Sequence, residues 1–213
     1  MGLGIGVGSL AELLEDDPEG AQYIQAALNA VNRLLAEHGL PPHMEPNTLP
    51  ALKHRARITS FPYSFIHYLR RASAHRRANP DWMAAPLADG EDPIDDPVLQ
   101  GEKLSMNSHL IWHSDAEGFY LPVDFSDVLV AKDDGTVPGR LVGSSFHLMR
   151  ELSEVAPALG IRLVDGQLTD DEANRIDKRL DADDGLTPEL ASWILLFECA
   201  RLSIEHRTAI VFC

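Results

Sequence analysis

The sequence predicts an α+β fold in which a small, mostly antiparallel sheet is packed by five or six helices. Three observations support this prediction. Several segments place apolar residues at helical spacing behind recognisable capping residues. Residues 108–125 alternate between apolar and polar side chains, as a β-hairpin does. Residues 187–205 are apolar nearly all round, which is typical of a helix at the centre of a core.

The helices are predicted from their end signals as well as from their periodicity. Asp17 and Pro18 are suited to begin a helix, and Gly39 is suited to end it. A shorter helical turn is predicted at Ser9, which forms a capping box with Glu12. The longer helices are predicted over 18–38, 61–78, 145–158, 169–180 and 187–205.

The length and composition favour one domain over residues 1–213. The chain is 45% apolar, enough to bury a sizeable core, so global disorder is not expected. Residues 80–100 hold four prolines and no Lys or Arg, and we expect the segment 80–102 to be exposed and irregular. Further strands are predicted at 127–131 and, at the C-terminus, at 208–212.

The two alternating runs, 108–114 and 119–125, flank a glycine-containing turn and are expected to pair as the hairpin. The register that gathers one apolar face sets Trp112 opposite Leu121. The other face then carries the polar side chains, which are His109, His113, Tyr120 and Asp124.

This polar face is the candidate catalytic site, with His113, Tyr120 and Asp124 in the central roles. A histidine beside a carboxylate can act as a general base. A metal site built from both histidines is not expected, because residues four apart on one strand are separated by about 13 Å. A solvent-facing strand with hydrogen-bonded histidines would explain the same pattern. We expect no metal and no cofactor.

Basic residues are concentrated in one part of the chain. Residues 46–80 contain seven Lys or Arg and no Asp or Glu, whereas residues 81–102 contain seven Asp or Glu and no Lys or Arg. The acidic segment either lies along the basic helix and neutralises it, or the helix offers an anion site, a role to which forked guanidinium donors are suited. The candidate anion-binding residues are Arg70, Arg71, Arg76 and Arg77.

The charge of the whole chain restricts its partners. Lys and Arg number 18 against 33 Asp and Glu, giving a net charge of −15. Such a charge repels nucleic acid and anionic membranes, so we expect neither as a partner and favour a basic protein instead. The two cysteines form no CxxC motif, and no apolar run approaches the length of a membrane span, which favours a cytoplasmic location.

Three hypotheses for function follow. The first is a macromolecular binding protein, of the kind found among acidic inhibitors and immunity proteins. The alternative is a small enzyme or metal protein that uses the polar hairpin face. The third is a subunit of an oligomer whose C-terminal strand extends a neighbour's sheet, although the sequence leaves the oligomeric state open. Glu198, on the apolar helix, is expected either to pair with Arg201 or to serve a pocket.

Overall fold

The computed structural model describes residues 2–88 and 90–212, so that Asp89 of the acidic segment and Cys213 lie outside the described residues. Over the described part, the fold is α+β with eight α-helices and a six-stranded mixed sheet. The helices are α1 (Ser9–Asp16), α2 (Pro18–Glu37), α3 (Phe65–Ala78), α4 (Pro97–Lys103), α5 (His109–Trp112), α6 (Ser145–Val155), α7 (Asp170–Ala182) and α8 (Thr187–His206). The strands are β1 (Leu3–Val7), β2 (Ser60–Phe61), β3 (Gly118–Leu121), β4 (Leu129–Val130), β5 (Leu141–Ser144) and β6 (Ile210–Phe212).

None of the described helices combines the length and the apolar character needed to cross a membrane.

The sheet has the strand order β2-β1-β6-β3-β5-β4. Among the described residues, four of its strand pairs are antiparallel and the pair β3–β5 is parallel, so the sheet is mixed rather than purely antiparallel. The predicted C-terminal strand is confirmed as β6. Ile210 pairs with Val7 on one side and with Tyr120 on the other. Because both edges of β6 are already paired, this strand has no free edge with which to extend a neighbour's sheet.

The sheet separates two hydrophobic layers. On one face, α1 and α2 pack apolar side chains such as Leu10 and Ile24 against strand residues such as Phe119. On the other face, α3, α6, α7 and α8 build the larger core, in which Trp193 and Leu152 are fully buried. The chain therefore forms a helix–sheet–helix arrangement in three layers.

Helix α8 lies at the centre of the larger layer, as its apolar sequence predicts. Every residue from Glu189 to Ala200 is buried, and the helix contacts α3, α6 and α7. The indole N–H of Trp193 donates to the carbonyl of Leu152 on α6 at 2.8 Å, so this large side chain is buried without an unpaired donor. Each such apolar side chain contributes on the order of 2 kcal/mol of burial free energy before entropy is subtracted.

The predicted hairpin over 108–125 is wrong. Residues 109–112 form the single helical turn α5, and β3 pairs with β5 and β6 rather than with residues 108–114. The proposed register, in which Trp112 faces Leu121, therefore does not exist. The later run is a strand, but it is shorter than expected and ends at Leu121.

A buried carboxylate on α6 explains why this turn is helical. Glu151 accepts hydrogen bonds from the backbone amides of His109 at 2.7 Å and of Leu110 at 3.0 Å, and from the hydroxyl of Ser108. The Ser108 side chain also accepts from the amide of Ile111, as an N-cap residue does. The free amides that begin a helix are thus satisfied by a residue more than 40 positions away. Alternation in the local sequence cannot reveal such a partner.

The acidic segment 80–102 is more regular than expected. It contains a 3₁₀ turn at Pro93–Asp95 and then α4, each with proline at its start. The Asp92 side chain caps the turn by accepting from the amide of Ile94, and Asp96 does the same for Val98 and Leu99. The prolines of this segment suggested a loop, but Asp92-Pro93 begins the 3₁₀ turn and Asp96-Pro97 begins α4.

We predict that Glu151→Ala lowers the free energy of unfolding by about 2–4 kcal/mol, because it leaves two buried amides and a buried hydroxyl without their acceptor. Chemical denaturation would measure the change. Glu154→Ala, which removes an exposed carboxylate from the same helix, is the matched control and should change stability by less than about 0.5 kcal/mol. Equal losses in the two variants would show that Glu151 does not hold the turn.

Candidate functional site

His113 and Tyr120, two residues of the predicted catalytic set, lie in contact but inside the core. Their rings stack with centroids 4.0 Å apart, and the Tyr120 hydroxyl donates to the carbonyl of His109 at 2.8 Å. The neighbouring Gly143 makes room for this arrangement, since a Cβ at that position would lie 2.4 Å from the Tyr120 ring. Both side chains are buried and fill the sheet's larger core rather than a cleft.

Asp124, the third residue of the set, is not brought to the other two. It is exposed and pairs with Arg150 at 2.6 Å and with His147 at 3.4 Å on α6. Within the described residues, no group of three or more His, Cys, Asp or Glu side chains is arranged to hold a metal ion. The catalytic role of His113, Tyr120 and Asp124 stays a prediction, and the three side chains do not converge.

Burial keeps both histidines of this region neutral. It lowers the pKa of His109 and of His113 to about 4, and it raises the pKa of the Tyr120 hydroxyl. Nδ1 of His109 accepts from the amide of Ser144 at 2.8 Å, so its proton is on Nε2, facing the carbonyl of Ser126. A ring held in this way acts as a structural hydrogen-bonding group.

Arg70, the first of the predicted anion-binding residues, is buried and bonded to the chain itself. Its guanidinium donates to the carbonyls of Leu110 at 2.8 Å and His113 at 2.7 Å, and it pairs with Asp115. These bonds fasten the segment around α5 to α3 and use the donors that an external anion would need.

The acidic segment lies along the basic helix, which is the first of the two arrangements considered above. Arg71 and His75 both contact Asp96 at 2.8 Å, and Arg77 pairs with Glu102 at 3.2 Å. Arg76 instead lines, with Arg77, a cavity of about 650 Å³ near the C-terminal ends of α3 and α6. Carbonyl groups at helix C-termini repel anions, so this cavity is a poor anion site, and anion binding by the four arginines stays a prediction.

The most distinctive surface is an acidic ridge that sequence reasoning did not single out. The term covers the five carboxylates of α1 and the start of α2, which are Glu12, Glu15, Asp16, Asp17 and Glu19. All five residues are exposed, and none forms an ion pair with any other described residue. The sequence signal was present, because five of eight consecutive residues are acidic and no Lys or Arg occurs before Arg33.

The ridge contrasts with several carboxylates of the opposite layer, which have cationic partners. Arg55 and Arg201 both pair with the buried Glu198, which confirms the predicted Glu198–Arg201 pair and adds a second cation. Arg57 likewise pairs with Asp177 at 2.8 Å. The five carboxylates of the ridge have no such partner among the described residues.

We predict that the ring signals of His109 and His113 titrate near pH 4 in an NMR pH titration. Because both pKa values lie below the ordinary 6.5, the stability due to the neutral rings is complete above pH 6.5 and is lost as the pH falls toward 4. Glu189 has the opposite effect on stability. Burial raises its pKa to about 7, so protonation of this carboxyl stabilises the folded state as the pH falls. Residue-specific signals separate the two effects. Titration of either ring above pH 6 would contradict the neutral, buried assignment.

No curated protein and no solved structure matches the chain. A family model described as "Putative DNA-mimic protein" matches residues 1–212. This description is that of an interaction protein, which agrees with the predicted binding function in its coarse form.

The same finding corrects the expectation about partners. The family points to nucleic-acid-binding proteins as partners, which contradicts the prediction that set nucleic acid aside among the expected partners. A strong negative charge repels DNA, but it also makes a protein resemble DNA to anything that binds phosphates. Because the match extends over nearly its whole length, the chain belongs to the family described as putative DNA-mimic proteins.

Proposed function

We propose that this protein occupies the DNA-binding surface of a DNA-binding protein, with the acidic ridge in the place of backbone phosphates. The observation that supports this proposal is the ridge itself, in which five exposed carboxylates have no cationic partner among the described residues. The protein would then act as an inhibitor that competes with DNA in the cytoplasm, where such partners work.

The density of charge on the ridge is comparable to that of DNA. The five α1 residues from Glu12 to Asp16 rise about 7.5 Å and carry three carboxylates, which is one charge per ~2.5 Å, and Asp17 and Glu19 follow across the break between the helices. Double-stranded DNA carries one charge per about 1.7 Å of its axis. A protein surface lined with Lys and Arg to receive phosphates would therefore meet a similar number of charges on the ridge.

The ridge is held in place by packing beneath it. Leu10 and Ala11 of α1 and Ile24 of α2 are buried on the side that faces the sheet. Between the helices, the Asp17 side chain accepts from the amide of Gly20 at 3.1 Å and caps α2. The backbone that carries these carboxylates is already ordered, so binding has to order only their side chains, which favours affinity.

Two ridge residues occupy positions that do not favour the stability of their own helix. Glu15 and Asp16 lie in the last turn of α1, which contains no basic residue. The C-terminal end of a helix carries a partial negative charge and is stabilised by cations, so acidic side chains there are unfavourable. This cost to stability supports a binding role for these charges.

The proposal predicts competition with DNA. Immobilised protein should retain DNA-binding proteins from a nuclease-treated cell extract and release them to a 30-base-pair duplex. With one such purified partner, the protein should displace a labelled duplex in a gel-shift titration, because both occupy the same surface. Captured proteins that the duplex does not release, or that hold DNA and this protein together, would exclude mimicry.

A matched pair of triple variants would locate the surface. Glu12→Gln, Glu15→Gln and Asp16→Asn remove three ridge charges and should weaken displacement at least tenfold, with a smaller slope of log K against log salt concentration. The control variant carries Glu91→Gln, Asp92→Asn and Asp95→Asn, which remove three charges from another exposed segment. An asparagine at position 92 can still cap the 3₁₀ turn by accepting from the amide of Ile94. We expect the control to act within twofold of the unaltered protein. Equal weakening in both would indicate diffuse attraction by net charge and not by the ridge.

A further inference from the structure

A groove with apolar side chains along one wall runs beside the acidic ridge. It encloses about 280 Å³ between α1 and residues 49–52. Glu12 and Glu15 line one side of it, and Leu49, Pro50 and Leu52 line the other. The groove thus combines an apolar wall with two carboxylates at its rim.

The floor of the groove depends on Gly8. This residue has a φ of +78°, which favours glycine, and a Cβ there would lie 2.5 Å from Cδ1 of Leu49. The missing side chain lets Leu49 approach the start of α1 closely. Gly8 therefore allows the Leu49 side chain to pack against the start of α1 at this end of the groove.

The two carboxylates at the rim are arranged to act together. Glu12 and Glu15 are three residues apart on α1, a spacing that sets side chains about 5–6 Å apart on one helix face. Neither forms an ion pair with another residue that the structure describes. A cation with two or more donors could contact both.

The chemistry of this groove matches one side chain. Arginine has an apolar stem that packs on apolar surface and a planar guanidinium that binds carboxylates with several donors at once. Lysine has a similar stem but only a point charge, and an apolar side chain would leave the carboxylates without partners. Arginine is also a common phosphate ligand on proteins that bind DNA.

We propose that the groove between α1 and residues 49–52 receives an arginine side chain of the partner, with its stem on Leu49 and Leu52 and its guanidinium at Glu12 and Glu15. This inference rests on the proposed function and makes it specific, since it names a contact that shape and charge determine together. DNA mimicry could hold without it if the ridge attracted its partner through charge alone.

The test uses the full chain and a small probe. Acetyl-Gly-Arg-Gly-amide is titrated into isotopically labelled protein at low salt, and backbone and methyl shifts are followed by NMR. The shifts should concentrate on residues 8–15 and on Leu49 and Leu52. The matching citrulline peptide, which has nearly the same shape but no charge, should give no saturable shifts, and the lysine peptide should bind more weakly than the arginine peptide.

Two variants with equal charge change complete the test. Glu12→Gln with Glu15→Gln should weaken binding of the arginine peptide about fivefold, the loss expected for two exposed charge pairs. Glu91→Gln with Asp92→Asn should leave the affinity unchanged. The groove proposal would be overturned by any of three results: shifts spread over all acidic segments, an equal loss of affinity in both variants, or equal binding of the citrulline and arginine peptides. Those outcomes would leave competition with DNA intact, so failure of the groove is distinguishable from failure of mimicry.

Discussion

Three buried carboxylates hold the irregular segments of this acidic chain against its helices and sheet. Glu198 on α8 accepts from the backbone amide of Arg55 and pairs with Arg201, while Glu151 on α6 accepts the first amides of α5. Glu45 accepts from the amide of Ala209 and the hydroxyl of Thr208, which ties the loop after α2 to the start of β6. A buried carboxylate is very unfavourable unless donors replace its water, so detaching any of these segments would break hydrogen bonds that compensate a buried carboxylate. Burial acts to raise the pKa of Glu198, yet hydrogen bonds from Arg201 and Arg55 outweigh it and hold the pKa below its usual range.

This internal use of charge also shapes the outer surface. Many of the arginines lie on α3, α7, α8 and the segment before α3, where they pair with carboxylates of the same layer. The α1–α2 layer has Arg33 as its single basic residue and six acidic ones. The five carboxylates of the ridge repel one another, which lowers stability, but they remain available to an external cationic surface. Of the 33 acidic residues, those of the ridge thus form one open array, whereas carboxylates such as Glu198, Asp177 and Asp96 are paired within the fold.

Local signals predicted the helices well because they act over a few residues. Asp17 and Pro18 begin α2 as expected, and the capping box at Thr169 begins α7, where its side chain accepts from the amide of Glu172. The hairpin prediction was wrong because the alternation of the run 108–114 is a local signal, but the carboxylate that residues 108–110 bind belongs to Glu151, elsewhere in the chain. Helix and strand are close in free energy for so short a run, and three hydrogen bonds to Glu151 decide between them. The prediction of a polar face failed with the hairpin, since His109 and His113 are core residues when 109–112 is helical.

The sequence by itself determined the α+β class, the central position of α8, the C-terminal strand and the net negative charge, since each depends on composition or on periodicity within one segment. It also contained the run of carboxylates from Glu12 to Glu19, which we interpreted only as a contribution to the net charge. Only the tertiary structure decided which carboxylates are neutralised and which are left open. The deciding contacts join residues far apart in the chain, such as Arg55 and Glu198, which are 143 positions apart. An ion pair depends on distance in space, and the spacing of charges along a sequence does not reveal that distance.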